Sequence, residues 1–355
     1  MIRTVPLLMG LTLALAIQAT SAHAATRDEI AQLATSHQGD FNYWQKDSPT
    51  VSKLKAYVDQ VTDTKANTFV PIENRIAVFD VDGTLIDERG PFYLDWLIFL
   101  HRVLHDPTYK APKNIYDFAL RGEKALQKGE RFPDYGPGEF EMHMSVFEGM
   151  TDAAFAQYVL DFAKTPNPYY TNLKYGEAFF LPMVEIISYL KANHFTVYAV
   201  TGSDRAIVRS LVNGLNLMTH NHVIGSDVKL LATGQKEKDG LSYRFSPDDA
   251  LVRGALVVKN LQQNKVEAIA KEIGQKPILA FGNSNGDASM MQYTINNNPY
   301  PTMAFRLMCD DKARAYCREN VEKSKNAAQK YGWETISMTA ELRTIFGEKV
   351  KKPKN

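Results

Sequence analysis

Apolar positions along the chain fall into two recurring patterns. Five short runs are almost continuously apolar and rich in β-branched or aromatic residues: Ile76–Asp80 (IAVFD), Thr196–Thr201 (TVYAVT), His222–Gly225 (HVIG), Ile278–Gly282 (ILAFG) and Thr302–Arg306 (TMAFR). Runs of this kind predict strands buried on both faces, as in a parallel sheet. Between them, apolar residues recur at helical spacing over Met183–Asn193, Arg205–Leu217 and Lys265–Ile273. Strands alternating with amphipathic helices predict an α/β fold, an open parallel sheet with helices on both faces. Three of the runs lead into DVDGT, TGSD and GNSNGD, at the carboxyl ends of the strands, where such sheets collect function.

Two intervals break the alternation. Residues 90–180 are far longer than a crossover requires and are rich in aromatic residues and helix formers, with Pro and Gly between the pieces. They predict a helical cap inserted into a core made of residues 73–89 and 181–347. Polar, Gly-bearing sequence over Ser226–Lys259 predicts a β-hairpin excursion before the Lys265 helix. Residues 25–72 read as a helical N-terminal extension, and 348–355 as a solvated basic tail.

The first 24 residues carry a different pattern. Arg3 precedes the uncharged run Val5–Ile17, and Ala22-His23-Ala24 offers small residues at the two positions a signal peptidase inspects. The run is short of the ~20 residues a spanning helix needs. The expectation is a secretory signal cut after Ala24, and a periplasmic or secreted protein with no stable membrane insertion. An uncleaved anchor is the alternative. The only cysteines, Cys309 and Cys317, are close enough in sequence to be bridged in an oxidising compartment or to remain a reduced pair.

Composition narrows the ligand. The 355 residues are 45% hydrophobic, and 41 Lys+Arg stand against 40 Asp+Glu. A near-neutral chain lacks the bulk positive field that holds nucleic acid, so a small ligand gripped by local charge is expected. DVDGT is the strongest candidate for that grip. Asp80 and Asp82 lie at a strand end, where two carboxylates are costly to bury unpaired; a Mg²⁺ ion bound by hard oxygen donors would offset the cost. Gly83 permits a tight turn. Thr201-Gly202-Ser203 offers a hydroxyl and backbone N–H groups to a phosphoryl oxygen, and the loop from Gly282 through Asn283 to Asp287 can complete a metal shell.

Taken in order, DVDGT, TGS, Lys265 and GNSNGD resemble the motifs of the haloacid dehalogenase superfamily, in the phosphatase branch near the phosphoserine and phosphorylcholine phosphatases. The resemblance spans about Arg75–Phe305. It implies a Rossmann-like core beneath a cap, and an aspartyl-phosphate mechanism acting on a small phosphorylated metabolite. Asp80 would be the nucleophile and Asp82 the general acid and base. Thr201, Gly202 and Lys265 would hold the phosphoryl group, and Mg²⁺ would be held by Asp80, Asp82, Asn283 and Asp287. Lys259 competes with Lys265 for the lysine role. The second aspartate argues against dehalogenation, which has no leaving alkoxide to protonate.

Two departures from the family pattern stand out. Asn283 occupies the place usually held by an acid, so metal affinity is expected to be lower. Arg89 stands nine residues after Asp80, where phosphoserine phosphatases carry an acid, which weakens a phosphoserine reading. Phe92, Tyr93 and Trp96 could line a leaving-group pocket but fit cap core at helical spacing; Arg121 and Arg131 read as surface residues. Transfer of the phosphoryl group to an alcohol, and a non-catalytic binding protein on the same scaffold, are the alternatives to hydrolysis.

Overall fold

The computed structural model describes residues 24–35 and 39–353. The signal expected over Met1–Ala24 lies outside that range except for Ala24. Two helices, α1 (Arg27–Leu33) and α2 (Pro49–Thr62), precede the first strand, β1 (Ile76–Phe79). Residues 90–180 form α3 (Leu94–Leu104), α4 (Lys113–Gln127), α5 (Glu139–Ser145) and α6 (Asp152–Ala163). The chain then runs through α7 (Leu181–Ala192), β2 (Thr196–Asp204), α8 (Arg205–Val212), β3 (Val223–Ala232) and β4 (Leu251–Val258). It finishes with α9 (Gln263–Glu272), β5 (Leu279–Gly282), α10 (Ala288–Ile295), β6 (Met303–Met308), α11 (Val321–Tyr331), β7 (Glu334–Ser337) and α12 (Met338–Glu341). Among the described residues no helix is long and apolar enough to cross a membrane.

The strands form one seven-stranded sheet in the order β4-β3-β2-β1-β5-β6-β7, parallel except for the β3–β4 edge pair. From β1 the chain builds outward on one side as far as β4, then returns to place β5 on the other. That reversal puts a crevice at the carboxyl end of β1, where ligands of doubly wound sheets bind. Alternation along β1 sends Ala77 and Phe79 to one face and Ile76 and Val78 to the other, each joining a separate apolar cluster. In-register pairing stacks Phe79 on Phe281 and Phe281 on Phe305, with ring centroids 4.4 and 4.9 Å apart. The first face is covered by α2, α7 and α8, the second by α9, α10 and α11.

Several boundaries differ from the sequence pattern. β3 runs past Gly225 to Ala232 because antiparallel pairing with β4 carries it onward. α8 stops at Val212 rather than Leu217, where extended Asn213 and left-handed Gly214 (φ 75°) break it. β7 is too short, with only Ile336 buried, to stand out from its surroundings.

Backbone bonds tie the second half of the 90–180 segment to the sheet. Gly149 N–H donates to Arg253 O and Arg253 N–H to Met150 O, both at 2.8 Å. The Arg253 guanidinium pairs with buried Asp204 and lies 3.9 Å from the Phe155 ring centroid. The N-terminal segment is similarly held. Arg27 donates to the carbonyls of Leu211 and Asn213 at the end of α8, the negative end of the helix dipole. Asn42 and Tyr43 N–H donate to buried Glu185 of α7 at 2.7 and 3.0 Å. Ser48 Oγ and Thr50 N–H donate to Glu341 at 2.7 and 3.0 Å, and Trp44 bridges to Leu342. Cys309 and Cys317, after β6, form a disulfide.

Candidate active site

Asp80 follows the last residue of β1, and its N–H donates to Phe281 O at 2.9 Å, so sheet pairing carries the chain to the carboxylate. The turn that follows closes through Gly83 N–H to Ile86 O (2.7 Å) and Leu85 N–H to Val81 O (2.8 Å). Gly83 has φ 80°, and a Cβ there would lie 1.9 Å from Asn283 Nδ2. Both the left-handed backbone and the crowding demand glycine.

Lys265, in the first turn of α9, is fully buried. Its Nζ donates to Asp80 Oδ1 (2.7 Å), Asp287 Oδ1 (2.7 Å) and Val200 O (2.6 Å), using all three ammonium donors. Asp287 Oδ2 accepts from Asn283 N–H (3.1 Å), Ser284 N–H (2.9 Å) and Ser284 Oγ (3.1 Å). Asp287 therefore pins the loop carrying Asn283 while Lys265 joins it to Asp80. Lys259 stands elsewhere, its Nζ 4.5 Å from the Phe140 ring centroid on the cavity wall. Of the two candidate lysines, only Lys265 reaches Asp80.

Thr201 is buried at the end of the parallel stretch of β2, and its Oγ1 accepts Ser203 N–H at 3.0 Å. Gly202 lies under Leu261, 2.5 Å from the place a Cβ would occupy, and lines the cavity. Ser203 carries a contact its sequence position does not announce: its Oγ donates to Asp82 Oδ2 at 2.7 Å. Asp95 of α3 is buried on the far side of that hydroxyl, with Oδ2 3.4 Å from Ser203 Oγ. Its signal was a lone acid inside the apolar helix LDWLIFL.

Asp80, Asp82, Asp95, Gly202, Ser203 and Asp287 floor a cavity of about 270 Å³ walled by Tyr93, Trp96 and Phe140, while the buried Lys265 and Thr201 lie outside its lining. Trp96 is buried and stacked on His143 at 4.3 Å, and Phe92 stacks on Phe132 at 5.1 Å, so these aromatic residues pack the overlying helices while also facing the cavity. Arg89 Nε pairs with Glu88 Oε1 at 2.8 Å, and its Nη2 donates to Tyr93 OH at 3.2 Å. Arg131 is exposed at the rim of an adjoining space, and Arg121 is held to α4 by the Asp117 carbonyl and lies near the Phe118 ring. A larger groove of about 600 Å³ near Lys191, His220 and His222 contains none of the acidic residues of the site.

Burial dominates the electrostatics. It pushes Asp80 up to about 7, with Asp287 adding to the rise and Lys265 opposing it. Asp82 also rises to about 7, from burial first and then from Asp95, with the Ser203 hydrogen bond opposing. Glu88 reaches about 7 from burial, with Arg89 and the Asn283 side chain opposing and Asp80 reinforcing. Asp287 also meets the burial penalty, but Lys265 and its backbone donors outweigh it and hold this carboxyl below the usual range. Burial would likewise lower Lys265, yet Asp287 and Asp80 hold it charged.

Among the described residues no three His, Cys, Asp or Glu side chains form a ready metal cluster. The oxygen donors nevertheless fit a hard cation once amide and backbone oxygens are counted. Asn283 Oδ1 is buried without a hydrogen-bond partner, an acceptor held out of water with nothing to accept.

The sequence matches the haloacid dehalogenase-like hydrolase family over residues 77–292, and the chain belongs to that family. Among solved structures, a functionally unknown protein from Anaerococcus prevotii DSM 20548 is similar at TM-score 0.52 and 13% identity, with 86% of this chain and 98% of that chain covered. A phosphoserine phosphohydrolase-like protein from Francisella tularensis subsp. tularensis SCHU S4 aligns at TM-score 0.37 and 15% identity, over 66% of this chain and 87% of its own. At 13% identity the likeness to the Anaerococcus protein is one of fold. No curated protein sequence matches the chain.

Proposed function

We propose that the protein is an exported, Mg²⁺-dependent phosphomonoesterase that hydrolyses a small phosphorylated metabolite through an aspartyl-phosphate on Asp80. The observation that carries this reading is the pairing of two buried carboxylates, Asp80 and Asp82, under one cavity with different partners. Asp80 meets the charged Lys265, which favours the ionised nucleophile. For Asp82, burial and nearby Asp95 favour the protonated acid and outweigh the Ser203 hydroxyl, whose donated hydrogen bond favours the ionised form. Phosphatase chemistry needs that division of labour, and the family match supports it.

In the first step a carboxylate oxygen of Asp80 forms a bond to phosphorus as the bond to the leaving oxygen breaks, and Asp82 gives that oxygen its proton. In the second, Asp82 takes a proton from water as the water oxygen displaces Asp80, releasing inorganic phosphate. Thr201 and the N–H of Gly202 are assigned to the phosphoryl oxygens. Lys265 neutralises charge on Asp80 and the phosphoryl group and keeps Asp287 aligned.

Mg²⁺ would be held by the Asp80 carboxylate, the Asp82 backbone carbonyl and Asn283 Oδ1, and when bound it supplies further positive charge for the phosphoryl group. The oxygens of Asp287 are engaged by Lys265 and the 283–284 backbone, which suits positioning of that loop better than direct ligation. Export is supported by the Arg3–Ala24 pattern, and the Cys309–Cys317 bridge suits an oxidising compartment.

Phosphate release from a panel of phosphomonoesters, with Mg²⁺ or chelator, tests the reading on wild type and Asp80→Asn. Release by wild type with Mg²⁺, and its loss in either control, is the expected result. Equal release by Asp80→Asn would overturn the mechanism. Adding a competing alcohol and assaying its phosphorylated product separates hydrolysis from transfer.

A further inference from the structure

Glu88 lies outside the motifs that define the site, yet the fold brings its carboxyl to them. The turn after β1 folds back so that Glu88 Cδ lies 2.8 Å from the point a Gly83 Cβ would occupy. Asn283 Nδ2 lies 1.9 Å from the same point, which places the Asn283 amide nitrogen beside the Glu88 carboxyl. Gly83 is thus the gap in which side chains from the segments after two neighbouring strands, β1 and β5, meet. With the amide nitrogen on the Glu88 side, Oδ1 is the atom left over; Asn283 is only 9% exposed, and this oxygen has no partner.

We propose that Glu88 belongs to the Mg²⁺ site, orienting the Asn283 amide with its oxygen free for the cation and supplying the negative charge that asparagine lacks. The proposal rests on the phosphatase reading above. An amide oxygen contributes only a dipole toward a divalent cation, and a carboxylate beside that amide restores the missing charge one step further out. Outer-shell partners of this kind orient ligands and commonly affect metal affinity by ~10–100-fold. Arg89, paired with Glu88 at 2.8 Å, holds that carboxylate in place and favours its ionised form.

The test measures Mg²⁺ binding by isothermal titration calorimetry on the full-length protein without substrate, so its readout does not depend on turnover. Glu88→Gln, which keeps the side-chain shape, is expected to weaken Mg²⁺ binding by about tenfold. The double variant Glu88→Gln/Asn283→Asp returns the charge to position 283 and is expected to recover affinity to within about threefold of wild type. Glu88→Asp, which keeps the charge on a shorter stem, is expected to bind more tightly than Glu88→Gln. Far-UV circular dichroism verifies that each variant is folded.

Wild-type affinity in Glu88→Gln, or no recovery in the double variant, overturns the proposal. Asp80→Asn separates this failure from that of the wider reading. If wild type binds Mg²⁺ and Asp80→Asn does not, a normal Glu88→Gln sinks the Glu88 inference alone. If wild type itself binds no Mg²⁺, both fall.

Discussion

Replacing Lys265 by Met tests the electrostatic frame of the site. The substitution keeps an unbranched side chain in a fully buried position and removes the ammonium that serves Asp80, Asp287 and Val200 O at 2.6–2.7 Å. Removing one partner from a buried ion pair costs about 3–5 kcal/mol, because the remaining charge is left uncompensated. Here two carboxylates are stranded, so the upper part of that range is expected at pH 8.

The cost should depend on pH. In wild type, Asp287 is held below its ordinary value by Lys265, and it contributes stability that is lost only as the pH falls through that lowered value. Without Lys265, burial is left to dominate and the Asp287 value in the folded state rises above the unfolded one. The folded variant then binds more protons than its unfolded chain, so its stability falls as pH rises. Each proton adds about 1.4 kcal/mol per pH unit across the interval between the two values. Asp80, already raised, gives wild type part of this slope, and Asp287 should add to it in the variant.

Urea unfolding in metal-free buffer at pH 5 and pH 8 is the assay. A loss below about 1 kcal/mol at pH 8, or the same loss at both pH values, would refute the reasoning, since either result means that Lys265 is not holding two buried charges.

Two further outcomes follow from groups away from the cavity. Glu185 rises to about 7 through burial despite the Tyr43 and Asn42 N–H donors, so ionising it should cost up to about 3 kcal/mol of stability between pH 4.5 and 7. Glu185→Gln should flatten the fall in Tm over that interval, and identical slopes in the two proteins would count against the assignment. The Cys309–Cys317 bridge spans eight residues, for which chain entropy gives about 2.5 kcal/mol. Reductant, or the double Cys→Ser variant, should therefore lower Tm, and an unchanged Tm on confirmed reduction would contradict this.

Much of the central machinery was legible because its signals are local. β1 and β5 are continuous apolar runs, and Asp80, Asp82, Gly83, Asn283 and Asp287 follow directly at their ends. Lys265 could be narrowed to one of two lysines by its place on a helix; its choice of Asp80 needed three dimensions. Ser203 was visible as part of TGS, but its hydrogen bond to Asp82 depends on the irregular register between Val200 and Asp204. Asp95 and Glu185 had a usable signal, an acid within an apolar helix, whose meaning depends on what packs opposite. Glu88 had none, because its approach to Asn283 is set by the fold of a turn against a distant loop.

The N-terminal segment closes on the last part of the chain: Ser48 and Thr50 are bound by Glu341, residues 293 and 291 positions away. During synthesis these early residues emerge long before their partners exist. The closing contacts are of very high sequence separation, and loop-closure entropy must be spent before they form, which places them late in folding. Until β7 and α12 are made, α2 lacks part of its final setting. A chain that has lost its last residues should therefore behave as an incompletely folded intermediate with exposed apolar surface, open to proteolysis at both ends.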